Sequence, residues 1–388
     1  MIIGLFNDSY EPVMDGVAVC VRNYAEWLTQ RGCEAHVITS AVPDYVDSAN
    51  FPILRYKSIQ LPAMAPYRAG IPAFDVNFIR KVYSIPFDLI HSHCPFVSGS
   101  IALKIARKRR IPIITTFHTK YRDDLRRALY FEKTADLALS FILRYYDAVD
   151  YVWVPNEATG RTLTEYGYDG EMEIFPNGVD MPVPTEAEYQ ALRTVGQQRI
   201  GAGAREFVFL FIGQHRWEKN VRLIIEAMNL LKGRGFGFRM IFVGSGYADK
   251  EMRRLVTSLD LDDRVVFLGQ LVNREELKGL YARADLFLFP SVYDNAPLVV
   301  REAAAFGLPS VLARGSSAAE GIVDGENGFL SDNDLESFAA KLIELIGDPA
   351  CRARAGKGAR DSIYVSWNQV VDKVLGRYDE IVASHRRG

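Results

Sequence analysis

Two cationic side chains and a glycine follow a predicted strand in the second half of the chain. Gly213 ends the apolar run 207–213, and Arg216 and Lys219 come just after it, where a helix is expected to begin. Backbone N–H groups and the helix dipole favour anions at that position, and the two cations would strengthen the attraction. The pattern is typical of a diphosphate site, and it is also compatible with the surface of an ordinary strand–helix loop.

Two carboxylates follow a later strand. Asp294 lies in the loop after the run 285–290, and Glu302 lies about two turns along the next helix. Two acceptors at this spacing could hold the hydroxyl groups of a polyol, whereas an N-terminal Asp and a solvated Glu are the structural alternative. Glu302 precedes the small apolar run 303–307, so its surroundings look buried, and a buried carboxylate needs partners.

Four more residues lie at the ends of predicted strands. Gly16 follows the first strand and begins a helix, where a ligand could approach the backbone closely. His118 follows the run 112–117, and it could contact a bound group or be a satisfied loop histidine. Gly244 and Gly246 follow another strand and by themselves indicate only a tight turn.

Alternating strands and helices are needed to position these residues. Apolar runs typical of strands buried on both faces lie at 2–6, 35–39, 88–92, 112–117, 151–155, 207–213, 239–244, 264–269, 285–290 and 309–313. Helical patterns lie near 17–31, 97–110, 132–146, 157–166, 219–232, 247–259, 274–283 and 296–306, and again over 335–387 without a strand. The repetition predicts an α/β protein with two Rossmann-like, doubly wound domains. We place these domains at 1–182 and 183–366, with a helix at about 367–388 returning to the first.

The composition excludes several classes of protein. Of 388 residues, 48% are apolar and 24% are charged, which argues against a disordered, collagen-like or disulfide-scaffold chain. The formal net charge of −2 argues against a nucleic-acid partner. Four dispersed cysteines without a CxxC motif indicate reduced thiols and a cytoplasmic location. No apolar run is long enough to span a membrane, and the first residues lack the basic region of a signal peptide.

No metal site is predicted. The six histidines have no ligand spacing, and no cysteine or carboxylate cluster joins His91 and His93 in the sequence. The Asp-x-Asp string at 260–262 precedes a strand, which is the wrong end of a sheet for a ligand, and the string at 332–334 lies in a turn.

A basic stretch lies in the first half of the chain. Residues 99–145 carry eleven Lys or Arg and four Asp or Glu, a local charge of +7. Cations that share one helix face or lie among aromatic residues are Lys104, Arg107, Lys108, Lys120, Arg122, Arg126 and Arg127. This pattern suits an anionic membrane surface, and it also suits a solvated face. The apolar loop 61–72 could line an acyl-chain entrance or pack on the core.

Taken in order, these motifs resemble those of the retaining GT-B glycosyltransferases of family GT4, over nearly the whole chain. The matching blocks lie at 7–12, 16–17, 88–96, 116–119, 176–180, 213–220, 243–246 and 294–302. The order of the blocks is specific, although no single block is. The resemblance implies two Rossmann-like domains facing a cleft, with an acceptor-binding N-terminal domain and a nucleotide-sugar-binding C-terminal domain.

The resemblance also implies roles for individual residues. Gly16 would approach the donor, His118 would contact the transferred sugar, and Lys219, aided by Arg216, would bind the diphosphate. Asp294 would bind sugar hydroxyls and Glu302 would hold the ribose. The remaining donor-binding positions are Gly213, Gly244, Gly246, Asn295, Ala296, Pro297 and Leu298.

Two residues depart from the family pattern. Gln214 stands where the family often has Arg, which puts one phosphate contact in doubt unless Arg216 replaces it. Asp294 stands where Glu is usual, which shortens the reach by one methylene and could alter the sugar preference.

Among GT4 enzymes, the sequence most resembles diacylglycerol glucosyltransferases and phosphatidylinositol mannosyltransferases. We therefore expect a metal-independent hexosyltransferase that moves glucose from UDP-glucose to a lipid acceptor such as diacylglycerol. It would need no cofactor and would associate peripherally with the inner face of the cell membrane. The alternatives are a soluble or polysaccharide acceptor, an isomerase resembling UDP-sugar 2-epimerases, and a non-catalytic nucleotide-sugar-binding module.

Overall fold

The chain folds into two compact units of parallel β-sheet and helices. The computed structural model describes residues 1–13, 15–60, 67–118, 120–122, 125, 132–203, 205–271 and 273–387. The first unit comprises Met1–Asn177 and Trp367–Gly388, and the second comprises Gly178–Ser366. The division precedes the boundary placed at residue 182 because Val179 already pairs with the end of the second unit, where its N–H donates to the Val365 carbonyl.

The first unit is built on a seven-stranded parallel sheet in the order β3-β2-β1-β6-β7-β8-β9. Its strands are β1 (Ile2–Phe6), β2 (Glu34–Ser40), β3 (Ile53–Tyr56), β6 (Leu89–Ser92), β7 (Ile113–Thr116), β8 (Tyr151–Val154) and β9 (Met172–Ile174). A separate antiparallel pair is formed by β4 (Ser58–Gln60) and β5 (Arg68–Gly70). The central strands are buried on both faces, which explains their continuous apolar runs.

Helices follow most of these strands. They are α1 (Gly16–Gln30), α2 (Val76–Ser84), α3 (Val97–Arg109), α4 (Glu132–Tyr146), α5 (Glu157–Glu165) and α13 (Trp367–His385). Asp15 caps α1, because its carboxylate accepts the Ala18 N–H at 2.7 Å. Helix α13 packs on α1, with the rings of Tyr24 and Trp367 4.8 Å apart.

The second unit contains a six-stranded parallel sheet in the order β12-β11-β10-β13-β14-β15. Its strands are β10 (Phe207–Ile212), β11 (Phe238–Val243), β12 (Val265–Gly269), β13 (Leu286–Phe289), β14 (Ser310–Ala313) and β15 (Phe329–Ser331). Its helices are α6 (Glu186–Ile200), α7 (Val221–Gly233), α8 (Asp249–Ser258), α9 (Arg274–Arg283), α10 (Leu298–Ala305), α11 (Leu335–Gly347) and α12 (Pro349–Ser362). Short 3₁₀ turns occupy Pro72–Phe74, Trp217–Lys219 and Ser317–Ala319.

Each sheet has a point where the strand order reverses. In the first unit this point lies between β1 and β6, and in the second between β10 and β13. Ligands of doubly wound sheets bind beyond the carboxyl ends of strands at such a point. The segments that follow these strands are therefore where side chains able to bind a substrate should meet.

The fold class predicted from the sequence, α/β with two Rossmann-like doubly wound units, is confirmed. All ten predicted strands are present within a residue or two, whereas α2, α6 and the short strands β3, β4, β5, β9 and β15 were not predicted. Among the helices in the described ranges, none has the length and apolar character needed to cross a bilayer.

Candidate active site

An ion pair joins the segments after β10 and β13, at the strand-order reversal of the second unit. The Lys219 ammonium donates to Asp294 Oδ1 at 2.9 Å, and both side chains are largely buried. Lys219 also lies over the ring of Phe289, the last residue of β13, with its nitrogen 5.4 Å from the ring centre. The residue expected to bind a diphosphate and the residue expected to bind sugar hydroxyls therefore lie side by side.

Local hydrogen bonds fix the Asp294 loop. The Ser291 hydroxyl donates to Asp294 Oδ2 at 2.6 Å and accepts the Asp294 N–H at 3.3 Å. Asn220, in the left-handed region with φ 57°, donates its side-chain amide to the Pro290 carbonyl at 2.9 Å. These bonds orient the Asp294 carboxylate before any ligand is bound, which is the preorganisation that an electrostatic site requires.

Arg216 lies beside the same loop. Its guanidinium carbon is 5.2 Å from the centre of the Tyr293 ring, and its Nε lies 3.4 Å from a Glu218 carboxylate oxygen. The structure thus brings Arg216 next to the segment that carries Asp294.

The glycines of this unit allow two loops to pack closely. A Cβ on Gly244, whose φ is +129°, would lie 2.0 Å from the Gly213 carbonyl oxygen. A Cβ on Gly246 would lie 2.2 Å from the His215 carbonyl oxygen. Hydrogen bonds join the loops, with the His215 N–H donating to the Ser245 carbonyl at 3.0 Å. Close contact between the loops is therefore sufficient to explain these glycines.

Substituting Gly244 with alanine should destabilise the second unit by about 3 kcal/mol, because the new methyl group meets backbone at an unfavourable φ. Gly233→Ala is the matched control, since a Cβ there has nothing within 4 Å. Denaturant unfolding of both variants checks this expectation. Equal midpoints for the two variants would show that the loops can separate at little cost.

His215 is buried beneath these loops. Its Nδ1 bonds to the Asp249 carboxylate, and its ring lies against Phe242 and Phe267. Burial lowers the pKa of His215, partly offset by Asp249. His215 thus connects the loop after β10 to the start of α8, and its side chain is not exposed to a ligand.

Glu302 is a buried carboxylate on α10 with an identified partner. The Tyr281 hydroxyl donates to its Oε2 at 2.8 Å. Burial, followed by the charge of Glu302, raises the pKa of Tyr281 well above its usual value, so Tyr281 remains a donor. This confirms that Glu302 is not a solvated surface residue. The segment Asn295, Ala296, Pro297 leads from Asp294 into α10, which begins at Leu298.

Three histidines line the carboxyl ends of β6 and β7 in the first unit. His93 Nδ1 lies 3.0 Å from His118 Nε2, and the two rings are stacked with centres 5.3 Å apart. His91 contacts the Tyr378 hydroxyl at 2.5 Å and the Thr116 hydroxyl at 2.7 Å. Burial lowers the pKa of His118 to about 4 and the pKa values of His91 and His93 well below their usual value. All three rings are therefore neutral near pH 7.

Acid should destabilise the first unit through these rings. Between the ordinary histidine pKa of 6.5 and the value of about 4 for His118, the unfolded chain binds more protons than the folded one. Stability is therefore fully present above pH 6.5 and falls as the pH drops through this window. Denaturant unfolding across the window should show the loss, and His118→Asn should reduce its slope. A native-protein stability that stays constant would contradict the neutral, buried state of the rings.

Helix α1 brings a cysteine to this histidine cluster. Cys20 Sγ and one ring nitrogen each from His93 and His118 all lie within 4.8 Å of one another. No cysteine was expected beside these histidines from the sequence, and Cys20 reaches them because Tyr24 of α1 packs against His91 and His93. Gly16, at the start of α1, is exposed, and a Cβ there would meet nothing within 4 Å, so the backbone is accessible.

Comparison with known proteins matches a glycosyltransferase family model to each of the two units. The model of Glycosyltransferase Family 4 matches residues 14–182, and that of Glycosyl transferases group 1 matches residues 196–362. This chain belongs to the GT4 glycosyltransferases. The two matches divide this GT4 glycosyltransferase close to the boundary between its two units.

The GT4 glycosyltransferase has relatives of similar length. Alpha-monoglucosyldiacylglycerol synthase of Acholeplasma laidlawii is 26% identical over 371 residues, covering 93% of this chain and 92% of the relative. The enzyme of the same name from Streptococcus pneumoniae is 26% identical over 357 residues, covering 90% of this chain and 79% of the relative. The structure of Anabaena HepE in complex with UDP and glucose aligns with a TM-score of 0.77, at 20% identity, over 98% of this chain and 100% of that one. The fold is therefore GT-B.

The cations expected at a membrane lie in different surroundings in this GT4 glycosyltransferase. Lys104, Arg107 and Lys108 are exposed on one face of α3, opposite buried Ile101, Ala102, Ile105 and Ala106, as the helical pattern predicted. Lys120 is half-buried. Arg122 is also half-buried, and its guanidinium carbon lies 5.1 Å from the centre of the Tyr166 ring, so it does not extend the exposed face. Arg126, Arg127 and residues 61–66 of the apolar loop lie outside the described residues.

Sequence reasoning missed three residues, one in the first unit and two in the second, that lie beside predicted site residues of their own unit. Ser291 orients Asp294, Tyr281 donates to Glu302, and Cys20 lies beside His93 and His118. Only Ser291 had a local signal, because a serine three residues before an aspartate can form a side-chain turn. Tyr281 and Cys20 meet their partners through the packing of helices.

Proposed function

We propose that the protein transfers glucose, with retention of configuration, from UDP-glucose to diacylglycerol at an anionic membrane surface. The observation that carries this proposal is the similarity to two alpha-monoglucosyldiacylglycerol synthases over at least 90% of the chain. A lipid acceptor and a glucose donor are inferred from those relatives, whereas glycosyl transfer itself follows from the family.

The reaction requires charge stabilisation at the leaving group. The bond between the anomeric carbon and the diphosphate oxygen breaks, and its electron pair stays on UDP. Lys219, Arg216 and the N-terminus of α10 would face this growing negative charge without a metal. The acceptor hydroxyl oxygen bonds to the anomeric carbon on the same face and gives its proton to a phosphate oxygen of UDP. No side-chain nucleophile is required.

A donor panel tests the nucleotide and the sugar. We expect UDP-glucose to raise the unfolding temperature more than UDP-galactose, UDP-GlcNAc or GDP-mannose at equal concentration, since only a ligand that binds the folded state protects it. Greater protection by GDP-mannose or UDP-GlcNAc would overturn the proposed donor and leave the family assignment intact. The comparison of sugars is informative because Asp294, which is expected to bind the sugar hydroxyls, stands where the family usually has the longer Glu.

Two surfaces of the first unit support a lipid acceptor. The exposed face of α3 carries Lys104, Arg107 and Lys108. On α4, Leu137 and Phe141 are each 59% exposed, one helical turn apart. Cations attract anionic headgroups, and exposed apolar side chains can enter the boundary between headgroups and acyl chains.

Removing the three cations of α3 should weaken membrane binding. A basic residue near an anionic surface contributes about 1 kcal/mol, so replacing Lys104, Arg107 and Lys108 with glutamine should reduce vesicle partitioning by roughly 100-fold. The matched control replaces Lys250, Arg253 and Arg254, three exposed cations of α8, and changes the net charge equally. Flotation with phosphatidylglycerol-containing vesicles at low salt measures both variants.

Two results of the flotation experiment would reject the membrane surface proposed here. The native protein could remain in solution at low salt, or the α8 control could lose as much binding as the α3 variant. The first result would favour a soluble acceptor. The second would indicate general attraction by net charge without a defined face.

A further inference from the structure

A cysteine and two histidines converge in the first unit, close to the end of β6. Cys20 Sγ and one nitrogen from each of His93 and His118 lie within 4.8 Å of one another. Cys20 and His93 are buried, and His118 is half-buried, which leaves the cluster accessible from the side of His118. Sulfur and imidazole nitrogen are the ligand types that zinc prefers in proteins.

One polar atom of the cluster lacks a partner. His93 is only 1% exposed, and its Nε2 has no hydrogen-bond partner in the described part of the chain. Buried polar atoms are rarely left unpaired in proteins, so a ligand or water is expected at His93 Nε2, whereas Nδ1 of the same ring faces His118 Nε2 at 3.0 Å. The His93 ring is held by Tyr24, whose ring centre lies 5.2 Å away and which is one turn from Cys20 on α1.

We propose that Cys20, His93 and His118 form a binding site for a soft divalent cation, with Zn²⁺ as the best match. A tetrahedral zinc ion holds two nitrogen ligands about 3.3 Å apart and a nitrogen and a sulfur about 3.6 Å apart. His93 Nδ1 and His118 Nε2 lie 3.0 Å apart, and one ring nitrogen from each of these histidines lies within 4.8 Å of the Cys20 sulfur. Movements of about 1 Å would complete three ligand positions, with water at the fourth.

Both imidazoles are in the protonation state that binds zinc, and only the Cys20 thiol must lose a proton. Both imidazoles are neutral near pH 7 because burial lowers their pKa values. Burial raises the pKa of Cys20, so this residue is a thiol that donates to Asn177 Oδ1 at 3.1 Å. Zinc binding would replace the thiol proton of Cys20 and release that proton to solvent.

The site would regulate activity through His118. This consequence rests on the proposed function, in which His118 contacts the transferred sugar. A zinc ion would bind a ring nitrogen of His118 and hold the ring in place. His118 could then no longer contact the sugar, so zinc and the donor sugar would compete. We therefore expect Zn²⁺ to inhibit glucosyl transfer, with more donor needed for half-maximal rate.

Cobalt spectroscopy tests the site independently of activity. Co²⁺ added to the native protein, kept reduced by a phosphine, should give a thiolate-to-cobalt charge-transfer band that Zn²⁺ abolishes. Cys20→Ser should lose the band and bind Zn²⁺ more than about tenfold more weakly in calorimetry, since even the loss of a residue that hydrogen-bonds to a metal ligand lowers affinity by about 10–100-fold. Cys33→Ser is the matched control, because Cys33 is a free cysteine of the same unit outside the cluster.

The outcomes separate the site from the proposed function. A native protein without the band, or a Cys20→Ser protein that keeps it, would overturn the proposal. His118→Asn provides a second variant should Cys20→Ser fail to fold, and it should also lose affinity. If the protein shows the cobalt band but transfers no glucose, the metal site is supported and the proposed function is contradicted. Equal zinc inhibition of native and Cys20→Ser enzymes would reject regulation through this cluster.

Discussion

Replacing Lys219 with methionine should lower the turnover of nucleotide sugar by about 10²–10³-fold, the cost of removing one preorganised group from a developing oxyanion. Lys219 lies at the strand-order reversal of the second unit and bonds Asp294 at 2.9 Å. Methionine keeps most of the side-chain length and removes the charge, so the loss should appear mainly in kcat. Steady-state release of UDP measures it.

A second lysine provides the control for this expectation. Lys232 also pairs with an aspartate, Asp260, at 2.6 Å, but this pair lies at the surface, at the far end of α7. Lys232→Met should leave kcat within about twofold of native, since exposed pairs contribute roughly 0–1 kcal/mol. A Lys219→Met enzyme as active as the Lys232→Met enzyme would remove Lys219 from the mechanism.

Replacing Glu302 with glutamine should raise the KM for the donor by about 10–100-fold and change kcat much less. A hydrogen bond to a charged group contributes roughly 1.5–3 kcal/mol, and glutamine keeps the shape of the side chain while it removes the charge. Glu302 is expected to hold the ribose, which is remote from the bond that breaks, so substrate and transition state should be affected equally. Initial rates over a range of donor concentrations separate the two parameters.

Glu344 on α11 is the matched control for Glu302. It is exposed and pairs with Lys341 at 3.1 Å, so Glu344→Gln should leave both kinetic parameters unchanged. Tyr281→Phe should give a smaller rise in KM, because it removes the hydroxyl that orients the Glu302 carboxylate at 2.8 Å. A fall in kcat without a rise in KM for Glu302→Gln would place this residue at the reacting bond and contradict a ribose contact.

The central strands could be predicted from sequence because they are buried on both faces. A strand such as β10, Phe207–Ile212, has no polar residue to interrupt it. The edge strand β15, Phe329–Ser331, spans only three residues and carries too short a signal. Helix α6 was missed although a signal existed, since Thr185 and Glu188 form a reciprocal capping box at its start.

The part of the candidate site that lies directly after strands could be predicted from the sequence. Lys219 and Asp294 each follow a strand, and the parallel sheet brings the two ends together. The contacts of Glu302 with Tyr281 and of Cys20 with His93 depend on how helices pack on sheets. No periodic or local pattern encodes those distances, so the proximity of Cys20 to the histidines could not be predicted from the sequence.

The most direct test of the proposed function follows radiolabelled glucose from UDP-glucose into products. The native protein is incubated with vesicles of phosphatidylglycerol and diacylglycerol, and parallel reactions contain either a panel of soluble sugar acceptors or no acceptor. We expect label in the organic phase as glucosyl-diacylglycerol with the α configuration, and none without protein. Label only in an aqueous product would contradict the lipid acceptor, and an epimerised nucleotide sugar formed without any acceptor would contradict glycosyl transfer.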